Sequence, residues 1–424
     1  MTDPLELHDE DSTDPISPGH HWRTVNEPVW NSLSLLGRDT IIGYARRYDT
    51  KDGRLLGPDI IMKTASRQSG RDLGSSIYHD VHGASHPALS EYLAGSSIID
   101  PRRDLLDDTP AQHGITAHII HGSAPVDDAN SHVLHRLMLN PIVRSLWTYT
   151  SDLELLRGLR SAVQAHQLLF DQGIMYHDIS PQNILLAKYF GDGQPGREGL
   201  LLDLDFSLVE GDHRFGSETT HADAIRNIRD GSGHEAAGFV AKIGAIRAGT
   251  VQFMAIDMLW ALDMLWPFDW NKIIEHSVEY DLESFIWVFA YTVMRRILKV
   301  TESLETVKHS TRERLEKDFE RAFGSLESVE EIGLSRLNMD PLEFIMHNDQ
   351  DFFTPYLSIP LRAFLLHLRA IIRAKVEAPA IKRMTTVLRR GGLKAFDVVL
   401  THDWLIGYLD DTILALENDP SLQR

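Results

Sequence analysis

Three residues of this 424-residue chain have the types and spacing that phosphoryl transfer requires. Asp178 and Asn183 lie five positions apart in YHDISPQNIL, and Asp203 ends the apolar run of GLLLDLDFSL twenty positions later. Moving a phosphoryl group needs a carboxylate beside the incoming hydroxyl, oxygen ligands for the metal that bridges the phosphates, and a cation on those phosphates. The Asp178–Asn183 spacing lets one loop present the carboxylate while the following turn aims the amide oxygen at magnesium. Asp203 supplies the second metal-binding carboxylate, with Asp205 as its rival because DLD offers two carboxylates on one side of an extended strand. Singly, Asp and Asn are common turn formers and loop caps. The ordered set, flanked by apolar strands, is what points to chemistry.

For the cation, Lys63 in DIIMKTA is the candidate, since an apolar strand ending in Ile-Met-Lys can aim an ammonium into a nucleotide cleft. The plain alternative is an exposed strand lysine. The preceding stretch GRDTIIGYA offers Gly37 and Gly43 for close backbone approach to phosphates, although the Asp39 carboxylate between them would repel a phosphate. An acidic partner for Lys63 could be Asp80 in SSIYHDVHG or Glu91 in ALSEYLAG, both on stretches patterned as short helices.

The elements that must position these residues follow from periodicity. Short apolar runs separated by turn signals, such as DTIIGYARRYD, DTKDGR and GPDIIMKT, predict strands in a small lobe over residues 22–140. SHVLHRLMLNP reads as a strand leading into a connector stopped by Pro141. Helices dominate residues 141–424. In DLELLRGLRSAVQAHQLLFDQG, Leu153, Leu156, Leu159, Val163, His166 and Leu169 fall on one stripe, and Gly173 provides a stop. NILLAKYF and GLLLDLDF read as a hairpin or near-hairpin, residues 210–248 as a polar surface loop, and YDLESFIWVFAYTVMRRIL as a buried central helix.

Composition narrows the partners. With 42 basic and 61 acidic residues the formal charge is -19, which repels phosphate backbones and anionic membranes, so neither nucleic acid nor a membrane surface is expected. The apolar run FIWVFAYTVM stops at Arg295 and Arg296, too short for a membrane span. The first 21 residues are acidic and proline-bearing, as in a disordered tail, and lack the pattern of a signal peptide. No cysteine is present, which fits an intracellular setting, cytoplasmic or nuclear. The 21 histidines form no HExxH pairing, and no GxSxG element is found.

Four segments in order, GIMYHDISPQNIL, GLLLDLDF, GTVQFMAIDML and YDLESFIWVF, resemble the fungal-specific protein kinase-like family over roughly Leu134 to Ile297. The resemblance implies an α+β, bilobal protein kinase-like fold with a β-rich N-lobe and a larger, mainly α C-lobe. It implies a serine/threonine kinase that uses ATP and Mg2+ on a protein substrate. Asp178 would be the catalytic aspartate, Asn183 and Asp203 the metal ligands, and Asp281 an anchor beneath the catalytic loop. Lys63, with Gly37 and Gly43, would face ATP. GTVQFMAIDML resembles a peptide-receiving platform, with Asp257 in the place of the acid that closes the activation segment. Tyr176 and His177 depart from the histidine and arginine usual before the catalytic aspartate, which disfavours control by a phosphorylated loop. Ser180 replaces a common lysine, and DISPQN is also similar to the DLHPGN of aminoglycoside and choline kinases, so a small-molecule phosphotransferase is an alternative. A pseudokinase scaffold follows if the GRDTIIG stretch does not hold phosphates.

Overall fold

Alternating apolar runs at the start of the chain build a five-stranded antiparallel sheet in the order β1-β2-β3-β5-β4. Its strands are β1 (His21–Ser32), β2 (Thr40–Tyr48), β3 (Leu55–Gln68), β4 (Glu91–Ser97) and β5 (His132–Asn140). The computed structural model describes residues 21–32, 40–68, 86–89, 91–97, 132–140, 143–188, 196–204, 207–209, 251–264, 277–302, 309–324, 328–346, 356–388 and 399–419. Gly37, Asp39, Asp80, Pro141, Asp205, the helical candidate RDLGSSIYHDVHG and the polar stretch 210–248 lie outside these residues.

The β2–β3 turn follows from its residue types. The Asp49 and Asp52 carboxylates accept hydrogen bonds from the N–H groups of Lys51 and Arg54, both at 2.8 Å, and Gly53 takes the left-handed φ of 70° that the turn needs. β3 is central, with β2 on one side and β5 on the other, and residues 60–65 are buried. Ala45, Ile60, Met62 and Met138 form a core cluster against which Trp22 and Leu93 pack.

PALSEYLAGSSII does not form the expected helix: Glu91–Ser97 is a strand paired antiparallel with β5, with a register shift between Tyr92 and Ala94. Gly and Ser are weak helix formers, and the sheet offers this backbone a partner, so pairing overrides local periodicity.

The chain divides into two units, one containing residues up to Arg144 together with Asp203–Ser207, the other Ser145–Leu202 and the residues from Gly249 on. The second unit is mainly helical. Its first long helix, α1 (Asp152–Asp171), starts at the Ser151 N-cap, whose hydroxyl accepts from Glu154 N–H at 3.2 Å. The Glu154 carboxylate reaches back to Thr150 N–H at 2.6 Å, which satisfies a second donor at the helix start. Leu156, Leu159, Val163, His166 and Leu169 of the expected stripe are buried, and Gly173 follows the helix with φ 75°. Burying each leucine fully contributes roughly 2 kcal/mol.

After the short β6 (Val143–Ser145), β7 (Ile174–Met175) pairs with β10 (Leu208–Val209), and β8 (Ile184–Ala187) with β9 (Gly199–Leu201) as the expected hairpin. Two glycines let α1 lie directly on this hairpin. A Cβ at Gly199 would stand 1.9 Å from the Gly158 carbonyl oxygen, and one at Gly158 would stand 2.3 Å from Leu186.

α2 (Ile256–Met264) precedes α3 (Val278–Glu302), which is buried continuously from Asp281 to Ala290, as its apolar character on every face predicts. Then come α4 (His309–Phe323), α5 (Val329–Leu337), the short α6 (Asp340–Glu343), α7 (Ile359–Leu388) and α8 (His402–Glu417). α8 packs on α1, where Arg160 grips both oxygens of Asp410 and Gln167 donates to Asp403 at 3.0 Å. Among the described residues no helix is long and apolar enough to cross a membrane.

Candidate active site

The loop from Tyr176 to Asn183 runs between β7 and β8 and is held by side chains distant in sequence. Tyr176 is fully buried, and its hydroxyl donates to the carbonyl of Leu202, which fastens the loop start to the residue after β9. His177 adopts a left-handed φ of 70°. Its N–H donates to Asp281 Oδ2 at 3.1 Å, and the same oxygen receives His166 Nε2 at 3.0 Å. Asp281, in the first turn of α3, is only 2% exposed, so both bonds act in a water-poor interior where a charge-assisted bond is strong. The anchoring expected of Asp281 is therefore present in the geometry.

Asp178 and Asn183 are both buried and directly joined. Asn183 Nδ2 donates to the Asp178 main-chain carbonyl and to Asp178 Oδ2, each at 2.9 Å. The N–H groups of Asn183 and Ile184 both donate to the Ser180 carbonyl, at 3.1 and 3.2 Å, closing the turn that brings the amide back over five residues. With its nitrogen on Asp178, the amide has its oxygen as the atom that could hold a cation. The Asn183 carbonyl also accepts from Leu202 N–H at 2.8 Å.

In the sheet unit, Lys63 sits in the middle of β3, opposite Ile42 on β2 and Leu137 on β5. It is buried, not an exposed strand lysine, and its Nζ lies 2.5 Å from Asp203 Oδ2. Asp203 also has a left-handed φ of 70°. Left-handed backbone costs a non-glycine residue roughly 1–2 kcal/mol and persists where the surroundings enforce it. Of four such residues described, one immediately precedes Asp178 and one is Asp203.

Gly43 lies within β2 opposite Met62, in a strand and not in a loop, because Ile41 and Ile42 extend the β-branched run up to it. Glu91 is on β4, opposite Asn140. Among the described side chains, Asp203 is an acid beside Lys63.

Periodicity gave no sign of the buried ionic cluster behind residues 251–264. Glu283 is fully buried, and its carboxylate accepts from Ile256 N–H at 2.7 Å and Trp287 Nε1 at 3.3 Å and pairs with Lys375 Nζ at 2.6 Å. Burial works against the Lys375 ammonium, but Glu283 and then Asp257 outweigh it and raise its pKa. Asp257, expected to be the closing acid, has a side chain 54% exposed and reaches Lys375 at 3.4 Å, so Glu283 is the deeply buried carboxylate. Arg336, also fully buried, donates to the carbonyls of Gln252 and Ala322 and lies over Trp287 and Phe323. Desolvation lowers its pKa to about 9. The only local signal for this cluster was the charged pair inside the apolar DLESF run, where a buried acid demands a distant cation.

The fungal protein kinase family model matches residues 25–293, more than half of the chain. No curated protein matches it. The matched span runs from β1 into α3 and includes Lys63, Asp178, Asn183, Asp203 and Asp281. This chain, with its antiparallel sheet followed by a larger helical region, is an α+β protein of the bilobal kinase-like class and belongs to the fungal protein kinase family.

Proposed function

We propose that the chain is an active kinase that transfers the γ-phosphoryl group of ATP, with Mg2+, to serine or threonine hydroxyls of a protein substrate. The observation that carries this reading is the double hydrogen bond from Asn183 to Asp178, which fixes a carboxylate and an amide oxygen on one turn. Asp178 would receive the acceptor hydroxyl and take its proton as the phosphoryl group leaves ADP. Asn183 and Asp203 are hard oxygen donors of the kind magnesium prefers, and few protein ligands suffice because this ion keeps several waters. When bound, the ion would neutralise charge on the phosphates. Lys63, buried and ion-paired with Asp203, would turn its ammonium to the phosphates in the nucleotide complex. Gly37 and Gly43 are proposed beside the nucleotide on the strength of the family resemblance.

A protein substrate is favoured over a small alcohol because residues 251–264 are secured by Glu283 and Arg336, as a platform for a peptide would need to be. Reading the protein as intracellular rests on its use of ATP. Incubation with labelled ATP and magnesium, with generic protein substrates beside a panel of amino-alcohols and sugars, tests the proposal. Label is expected in protein. Label confined to small molecules would overturn protein specificity, and no transfer to either would leave the pseudokinase alternative.

A further inference from the structure

The support of the Asp178 loop extends beyond the residues that the family model matches. His166 Nδ1 lies 2.7 Å from Nε2 of His402, the first residue of α8, far outside the matched residues 25–293. His166 Nε2 faces the Asp281 carboxylate and so carries a proton there. In the neutral pair His402 Nε2–H then donates to His166 Nδ1. One line of hydrogen bonds thus runs from His402 through His166 and Asp281 to the N–H of His177, next to Asp178. All three side chains are buried, His402 at 6% exposure, and His402 also packs against the Phe170 ring at 5.6 Å. The Thr401 hydroxyl caps α8 by accepting from Trp404 N–H, which fixes where His402 enters.

We propose that His402 is a positioning residue for phosphoryl transfer: it holds His166, and through it Asp281, so that the loop keeps its left-handed turn before Asp178. The catalytic purpose rests on the reading under Proposed function, whereas the mechanical support does not.

The test compares His402→Leu with His402→Gln in the full chain. A glutamine amide can donate to His166 Nδ1 in place of the imidazole, and leucine cannot. In the leucine variant, amide exchange over residues 174–183 should be about tenfold faster, with exchange in α3 unchanged. The turnover number should fall about tenfold with the KM for ATP unchanged, because the defect lies in presenting Asp178 and not in holding nucleotide. The glutamine variant should stay within about twofold of wild type in both measurements. Wild-type exchange in the leucine variant, equal loss in both variants, or equally faster exchange throughout α3 would overturn the proposal. If the exchange contrast holds but the wild type transfers no phosphate, the support of the loop stands and the phosphotransfer reading falls.

Discussion

The loop that carries Asp178 and the strand that carries Lys63 are held in different ways. The loop is irregular backbone, and its shape depends on side chains from elements far apart in sequence: Tyr176 to Leu202, His177 to Asp281, and His166 and His402 behind them. Lys63 instead takes its place from strand register, on the central strand of an antiparallel sheet. A ladder of main-chain bonds survives the loss of any one side chain, whereas a side-chain brace does not. Substitutions at the two places should therefore fail differently.

Short of removing Asp178 itself, the largest effect is expected from Lys63→Met, which keeps the length and apolar stem but removes the charge. Transfer should fall about 10²–10³-fold while the sheet stays folded, because register does not depend on the ammonium. Circular dichroism beside a transfer assay checks this, and unfolding of the variant would break the contrast. Asp281→Ala should fail through stability, since it strands the His177 N–H and His166 in the interior. A loss of about 3 kcal/mol in urea unfolding is expected.

Acid should weaken the braced region in particular. Burial, then the neighbouring His166, lowers the His402 pKa to about 4, whereas the unfolded chain takes up that proton near 6.5. Asp403 and Asp281 oppose the shift without cancelling it. Between those values the unfolded state binds more protons, so stability rises with pH and is lost as pH falls through this window, by roughly 2–3 kcal/mol. His402→Gln should flatten that part of the stability profile, as melting measured from pH 7 to 4 would show. The smallest effect belongs to Arg160→Ala. It removes a partly exposed grip of α1 on α8 and should cost under about 1 kcal/mol, leaving the buried histidine contact to hold the helix.

Much of this arrangement was legible in the chain. The apolar stripe and glycine stop predicted α1, the two apolar runs predicted the β8–β9 hairpin, and the all-round apolar DLESF stretch predicted a buried α3. Spacing brought Asp178 and Asn183 together because a five-residue turn is local. β4 departs from its weak helical pattern because pairing with β5, some forty residues away, decides its fate. Asp203 pairs with Lys63 across 140 residues of sequence, a contact that strand periodicity does not foretell. The His166–His402 contact and the Glu283–Lys375 pair, 236 and 92 residues apart, carry no periodic signature. Only the folded packing of helices brings such partners together.

The proposed role of Asp178 in the transfer step is tested most directly by comparing the wild type with Asp178→Ala in magnesium-dependent transfer from ATP. The variant should lose about 10²–10⁴-fold in turnover while binding nucleotide nearly as well as the wild type. Equal turnover in the two proteins would contradict it.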